Sequence, residues 1–329
     1  MDINQDTSPP TANKNLLDES FDELKKDYCT TPKLKAINLS ELLQYDCKPK
    51  EFIMSSIIAT QSLGMIHAYR GIGKTFVSLN IAYAVVSGNP FLGWGVATPR
   101  GVLFIDGEMP LHALQERMAN IIAAAGKEAV APLKFLTPDL QEFGMPDLST
   151  QQGQAQIEEF ITPEIELIII DNLSCLVRSG RENEAESWQP IQDFALRLRA
   201  KGKSVLFIHH SGKTGNQRGT SRREDVLDTV ISLRHPKEYT QDKGALFEVH
   251  FEKARYLYGQ EATPFEAQLT TNAQGLQCWV TRSLEASTFD KVVNLSKEGL
   301  SQKEISEELG INKSVVSRHI KNAREQGKI

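Results

Sequence analysis

Short apolar runs that end in a polar or charged residue recur through the middle of the chain. Residues 101–106 and 165–171 are nearly continuous rows of Val, Leu, Ile and Phe, and each row ends in an aspartate. Such rows are typical of strands that are covered on both faces, as in a parallel sheet. Similar runs end at Ala68 and His210. Helices are predicted between the runs at 75–87, 111–125 and 188–202. This alternation predicts an α/β doubly wound sheet.

The pattern changes after about residue 228. Shorter apolar stretches separated by turn residues predict antiparallel strands that extend one edge of the sheet. These strands are predicted at 230–233, 245–253, 265–269 and 276–281. The N-terminal residues are rich in Asp, Asn, Thr, Pro and Lys, which favours a flexible arm. We therefore predict an arm at 1–34, a sheet domain at 35–283 and a small all-α domain at 284–329.

The last domain carries the signals of three helices. Ser301 and Glu304 have the spacing of a capping box, Gly310 suits a left-handed turn, and Asn312 can cap the helix that follows. The helices are predicted at 289–298, 302–309 and 313–326. This pattern favours a helix-turn-helix, although a three-helix protein-interaction module stays an alternative. The side chains offered to a DNA major groove would be Lys313, Ser314, Ser317, Arg318 and Lys321.

Composition restricts the class of protein. The chain has 329 residues, of which 40% are hydrophobic and 24% are charged, with a net charge of -5. Such a protein can bury a sizeable core, but it has no global basic field, so nucleic acid must bind through a local patch. The four cysteines lack metal-type spacing, no run reaches about 18 apolar residues, and no signal peptide is evident. We therefore predict a cytoplasmic protein that does not bind a membrane.

The turn after the first apolar run nearly matches the phosphate-loop pattern G-x-x-x-x-G-K-S/T, with Ala68 in place of the first glycine. Gly71 and Gly73 permit backbone angles that bring N–H groups onto a triphosphate, and the following helix points its N-terminus at the same anion. Lys74 can reach the β and γ phosphates, and Thr75 can ligate Mg²⁺. ATP and Mg²⁺ are the predicted ligands. The predicted nucleotide-binding residues are Ala68, Arg70, Gly71, Ile72, Gly73, Lys74, Thr75 and Phe76.

Three strand ends carry the remaining groups that ATP hydrolysis requires. Asp171 is a candidate for the carboxylate that holds Mg²⁺. Glu108 is placed to polarise an attacking water, and His210 could sense the γ-phosphate. Asp171 alone could also be a solvated turn aspartate. His209 competes with His210 for the sensor role, and either histidine could simply be hydrogen-bonded at a strand end.

These residues resemble the RecA-type P-loop ATPase superfamily, in particular its hexameric-helicase branch of plasmid-replication and replicative DNA helicases. Segment 104–108 is similar to the strand that carries the catalytic glutamate of the family, and 209–213 is similar to the segment after the fourth core strand. An alanine also occurs in that branch where Ala68 stands. The resemblance spans about 37–282. It implies a RecA-like core that hydrolyses Mg²⁺-ATP as a hexameric ring acting on DNA.

The resemblance also assigns two basic segments. Segment 251–255 resembles the K-x-R finger of the family, which implies that Lys253 and Arg255 stabilise γ-phosphate charge in a neighbouring subunit. The two side chains could equally be exposed strand charges. Loop 213–223 corresponds to the loop that touches single-stranded DNA in the central channel. A solvated surface loop, or a place for Arg218 at the ATP interface, stays an alternative. The cations of this loop are Lys213, Arg218, Arg222 and Arg223.

Together these features predict an ATP-dependent motor that binds single-stranded DNA, with duplex DNA as a second expected ligand. We interpret it as a ring-forming replicative or plasmid-type helicase. One alternative is an ATP-dependent DNA-binding regulator that does not unwind DNA. The other is an ATPase that remodels a protein partner, with the C-terminal domain as an adaptor.

Overall fold

The computed structural model describes residues 34–178, 185–211, 225–237 and 239–329. The predicted arm lies almost entirely outside these ranges, and so does the basic loop 213–223. The chain divides into two compact units, Met1–Pro49 and Lys50–Ile329. The described part of the first unit contains one short helix, α1 (Leu39–Gln44), which begins after Asn38 with a complete capping box.

Two sheets make up the β structure of the second unit within the described residues. The smaller one is an antiparallel pair of β1 (Phe52–Met54) and β2 (Ile58–Ala59). The larger one has nine strands. In chain order these are β3 (Leu63–Ala68), β4 (Gly101–Asp106), β5 (Leu133–Leu136), β6 (Ile165–Asp171), β7 (Ser204–His210), β8 (Thr229–Arg234), β9 (Leu246–Ala254), β10 (Phe265–Thr271) and β11 (Gln277–Ser283).

The order across the large sheet is β11-β10-β9-β8-β3-β7-β6-β4-β5. From β8 to β5 all neighbours pair in parallel, whereas β8 to β11 pair antiparallel. The predicted mostly parallel central sheet, extended along one edge by antiparallel strands, is confirmed. Strand β5 was not predicted, because it has only four residues at the sheet edge, of which three are partly buried and one is a lysine.

Helices connect the parallel strands and cover the sheet. They are α2 (Lys74–Ser87), α3 (Leu111–Ala125), α4 (Gln151–Glu158), α5 (Leu173–Leu176) and α6 (Ala185–Ala200). Helix α6 begins three residues before the predicted start, and α4 was not predicted, since its sequence is mostly glutamine and polar residues. In the described part of the chain, no helix has the length and apolar character needed to cross a membrane.

The parallel strands are buried on both faces. Phe104 lies in one core with residues of α2 and α3, whereas its neighbour Leu103 lies in a second core with Phe194 of α6. Successive side chains of a strand point to opposite faces, so both faces need apolar residues. Burial on two sides explains the continuous apolar runs of the sequence, and it leaves the strand ends as the places where polar residues collect.

The C-terminal residues form the predicted small all-α domain. Its helices are α7 (Leu284–Lys297), α8 (Gln302–Leu309) and α9 (Lys313–Glu325). Ser301 and Glu304 form the predicted capping box, and Gly310 has a φ of 59° at the turn before α9. The predicted start of α7 was wrong: the helix starts five residues earlier, because Ser283 at the end of β11 caps it. Asn312 is the N-cap of α9, as predicted, but its side chain makes no capping bond.

A buried carboxylate fastens this domain to the antiparallel edge of the sheet. Glu266 of β10 is 1% exposed. It accepts hydrogen bonds from Ser287 Oγ at 2.9 Å and Lys291 Nζ at 3.4 Å on α7, and Arg282 Nε of β11 lies 2.8 Å from its other oxygen. A buried carboxylate is stable only when it is paired and hydrogen-bonded, as here. The sequence offered no signal for this contact.

Replacing Glu266 by alanine is expected to loosen α7 from the sheet. The loss should be on the order of 1–3 kcal/mol, because Arg282 and Lys291 lose a buried partner but can still reach water. Hydrogen exchange of the α7 amides should quicken while β6 stays protected. The matched control is Glu285→Ala, which removes an exposed partner of Arg318. Unchanged exchange in α7 would show that Glu266 does not hold the domain.

Candidate functional site

The phosphate loop joins β3 to α2 and is shaped by two glycines. Gly71 has a φ of 83° and Gly73 a φ of 116°, and L side chains rarely adopt such angles. Gly73 is the N-cap of α2, and no side chain caps this helix. The first N–H groups of α2 therefore have no side-chain capping partner, which is the arrangement that binds an anion at a helix N-terminus.

Lys74 is the first residue of α2 and is buried beneath the loop. Its Nζ donates hydrogen bonds to the carbonyl oxygens of Ala68 and Tyr69, both at 3.0 Å. Burial lowers the pKa of Lys74 to about 8, although the nearby carboxylates of Asp171 and Glu108 oppose this shift. A phosphate beside the ammonium group would compensate for this burial, so the lysine is poised for an anionic ligand.

Four adjacent strands bring the predicted catalytic groups together. Across β3, β7, β6 and β4, Ala68 pairs with His210, Ile208 pairs with Asp171, and Asp171 pairs with Asp106. Glu108 follows Asp106 by two residues. The phosphate loop, His210, Asp171 and Glu108 thus meet at the carboxyl edge of the sheet, which is where ligands bind in open α/β sheets.

Asp171 is a buried carboxylate that faces the first turns of α2. Ser78 Oγ donates to its Oδ2 at 2.8 Å. Burial raises the pKa of Asp171 to about 6, and hydrogen bonds from the Ser78 and Thr75 hydroxyls oppose the shift. Ser78 was missed in the sequence, although it lies one helical turn after Thr75 and so on the same side of α2.

These oxygens fit a magnesium ion. A carboxylate beside two hydroxyls is the hard-oxygen environment that Mg²⁺ prefers, and a cation there would favour the ionised form of Asp171. The described residues contain no cluster of three His, Cys, Asp or Glu side chains that could hold a metal alone. Thr75 and Asp171 would therefore hold Mg²⁺ together with nucleotide oxygens, as is usual for this ion.

Glu108 lies beside both Asn172 and His210. Asn172 Nδ2 donates to Glu108 Oε2 at 2.6 Å, and His210 Nε2 is 3.9 Å from the same oxygen. The side chain of Glu108 is largely exposed. His209, the alternative to His210 as the γ-phosphate sensor, is buried in β7. Asp106 accepts the backbone N–H groups of Glu108 and Met109, which turns the chain at the strand end. Glu108 can therefore meet both solvent and a ligand in the phosphate loop.

A flat pair of side chains lies next to the loop. The guanidinium group of Arg117, on α3, stacks over the ring of Phe76, with its carbon 4.5 Å from the ring centre. Such a cation–π pair offers a planar surface on which an aromatic base can stack. Phe76 was predicted only as a member of the nucleotide-binding loop, and no role was predicted for Arg117. The spacing in sequence carries no signal for this contact.

Lys253 and Arg255 lie elsewhere. In the sheet register, Ala254 is level with Thr229 and, through it, with Gly64 near the start of β3. The pair is therefore at the opposite edge of the sheet from the phosphate loop, and Arg255 follows the end of β9 by one residue. Arg255 Nη1 is 3.3 Å from Asp228 Oδ1. The structure does not bring these cations to the phosphate loop of the same chain.

The predicted DNA-binding residues fall into two groups. Lys213, Arg218, Arg222 and Arg223 lie outside the described residues. On α9, all five predicted side chains are exposed, whereas Val316 and Ile320 face the core of the domain. Arg318 contacts Glu285 at 3.3 Å, between two exposed side chains. Surface pairs of this kind are weak, so Arg318 remains available to a phosphate or a base. The five exposed residues are Lys313, Ser314, Ser317, Arg318 and Lys321.

Comparison with known families gives two matches. A family model described as AAA domain matches residues 30–216, which is more than half of the chain. A second model, described as winged helix-turn-helix DNA-binding, matches residues 295–329. The first match contains the phosphate loop, Glu108, Asp171 and His210, and it ends before β9. The second contains α8 and α9, which confirms the predicted helix-turn-helix.

Proposed function

The chain belongs to the AAA-domain family of P-loop ATPases, and on that basis we propose that it is an ATP-driven motor that acts on DNA. Its most specific form would be a ring-forming DNA helicase of the replicative or plasmid type. The protein combines an ATPase domain with a DNA-binding helix-turn-helix, so ATP turnover and DNA contact belong to one chain. Strand separation, the ring and the hexameric state are our proposals.

One observation carries the catalytic part of this proposal. The phosphate loop, Asp171, Glu108 and His210 lie at four neighbouring strand ends, at one edge of the sheet. The N-terminus of α2 and Lys74 would bind the phosphates, and Thr75 and Asp171 would hold Mg²⁺. When bound, Mg²⁺ neutralises phosphate charge. Glu108 would take the proton of the attacking water, and His210 would sense the γ-phosphate.

The position of Arg255 decides how it could act on ATP. Lys253 and Arg255 are level with the start of β3, about four residues along the strand from its end, which is roughly 13 Å. A role for them on the γ-phosphate therefore requires a neighbouring subunit. Because Asp228 already pairs with Arg255, this arginine would have to exchange that partner for phosphate when subunits meet.

The test measures ATP hydrolysis with and without single-stranded DNA, unwinding of a forked duplex, and the mass of the assembly in nucleotide. We expect stimulation by DNA, separation of the strands, and a ring-sized particle. Subunits carrying Arg255→Ala, mixed with wild type, should inhibit more than in proportion to their share. A proportional loss would mean that Arg255 does not act on the ATP of a neighbouring subunit. Turnover without unwinding would exclude a helicase.

A DNA-binding regulator driven by ATP is the second candidate. The observation that favours it is the attachment of α7 to β10 and β11 through Glu266, which fixes the helix-turn-helix against the ATPase sheet. A recognition helix, here α9, that is fixed to the ATPase domain suits a protein that stays bound at one DNA site. Sequence-specific duplex binding that strengthens with ATP, together with an intact forked duplex, would support this candidate.

A further inference from the structure

The side chain of Asn172 has a fixed orientation next to Glu108. Asn172 is 3% exposed and is the N-cap of α5, where its Oδ1 accepts the N–H of Cys175 at 3.3 Å. That bond determines which end of the amide is oxygen. The Nδ2 group therefore faces Glu108 and donates to its Oε2 at 2.6 Å. The hydrogen bond from the Cys175 N–H thus fixes the orientation of the Asn172 amide, and the amide in turn fixes the orientation of the Glu108 carboxylate.

The surrounding backbone is built for this close approach. The N–H of Gly107 donates to the carbonyl of Asp171 at 2.8 Å. A side chain at position 107 would come within 2.9 Å of Leu176 Cγ and 3.0 Å of Cys175 Cβ, so the glycine is needed there. The segment of Glu108 is therefore held against the start of α5 by its backbone as well as by its side chain.

Two further side chains lie near the same oxygen. Cys175 Sγ donates to Glu108 Oε2 at 3.7 Å, and His210 Nε2 lies 3.9 Å from that oxygen, beyond hydrogen-bond distance. Burial and the nearby Glu108 raise the pKa of the Cys175 thiol to about 11, so the thiol keeps its proton and can donate. Oε2 is thus the anchored oxygen of Glu108.

We propose that Asn172 is a positioning residue for hydrolysis, which anchors Oε2 of Glu108 so that Oε1 is presented to the attacking water. This inference rests on the proposed role of Glu108 as the base. The water's proton passes to Oε1 while its oxygen forms the new bond to the γ-phosphorus and the bond to the leaving ADP oxygen breaks. A base that is held in one orientation loses less entropy on reaching the transition state. Asn172 itself transfers no proton.

The experiment compares Asn172→Ala and Asn172→Asp with wild type in steady-state ATP hydrolysis. Asn172→Ala should lower kcat roughly 10- to 100-fold, since a hydrogen bond to a charged group is lost, and KM should stay within about twofold. Aspartate keeps the size and the N-cap of α5 but places a negative charge beside Glu108, so it should lose at least as much. It also carries the test if the alanine variant folds poorly.

A double variant shows whether Asn172 acts through Glu108. In the Glu108→Gln background, Asn172→Ala should add little further loss, because the base is already absent. The proposal would be overturned if the losses multiplied in the double variant, or if kcat stayed at the wild-type value in both Asn172→Ala and Asn172→Asp. A raised kcat would also overturn it, because the amide would then hold Glu108 away from the water. A Glu108→Gln variant with full activity would instead remove the proposed function of Glu108 itself.

Discussion

Glutamine in place of Glu108 is expected to lower the ATP turnover number on the order of 100- to 1,000-fold while the protein still binds ATP. The amide has the size of the carboxylate but cannot accept the proton of the attacking water. Glu108 is exposed and lies outside both cores, so folding should be unaffected. Nucleotide affinity should change little, because Lys74 and the N-terminus of α2 would carry the binding. Single-turnover hydrolysis and an equilibrium binding titration measure the two effects separately.

Glu116→Gln is the matched control. Glu116 is exposed on α3, the helix that follows Glu108 directly, and the substitution makes the same change of charge. It should leave turnover within about twofold. If Glu108→Gln hydrolysed ATP as fast as this control, the base would have to be another group. Loss of ATP binding together with turnover would instead show that Glu108 serves the binding site.

The convergence of the phosphate loop, Asp171 and His210 was predictable because strand ends are marked in sequence. An apolar run that is buried on both faces must stop where the chain leaves the sheet, and the first polar residues after it lie at the edge. The pattern of apolar runs does not predict the order of the strands across the sheet. In the structure β7 lies between β3 and β6, so His210 lies between the phosphate loop and Asp171.

Other features depend on contacts between distant segments. Glu266 and Asn172 look like ordinary polar residues in the sequence, and only the pairing of β10 with α7 and of Glu108 with α5 gives them partners. Lys253 lies at the edge of the sheet opposite the phosphate loop because β9 runs antiparallel to β8, so that the end of β9 is level with the start of β3. Strand β5 escaped prediction because its four residues are too few to show a period, and helix α4 escaped because it carries few apolar residues.

Lys74→Ala is expected to abolish ATP-dependent turnover, with a loss of nucleotide affinity of about 100-fold or more. The ammonium group is the buried cation under the loop, and a triphosphate would be left without its closest positive charge. Lys297→Ala, which removes an exposed lysine at the end of α7, should leave affinity unchanged. ATP binding and turnover at wild-type levels in the Lys74 variant would exclude the phosphate loop as the nucleotide site.

The same substitution is expected to leave the free energy of unfolding unchanged or to raise it. Because burial lowers the pKa of Lys74 from 10.5 to about 8, the charged lysine costs stability at neutral pH. Between pH 8 and 10.5 the unfolded chain keeps a proton that the folded chain has released, so this lysine makes stability rise with pH. Chemical denaturation at pH 8 and pH 10 should show a smaller rise in Lys74→Ala than in wild type, whereas Lys297→Ala should match wild type. A lysine that serves the fold would give the opposite result, with lower stability at neutral pH, and the loss of turnover could then reflect unfolding instead of a missing phosphate contact.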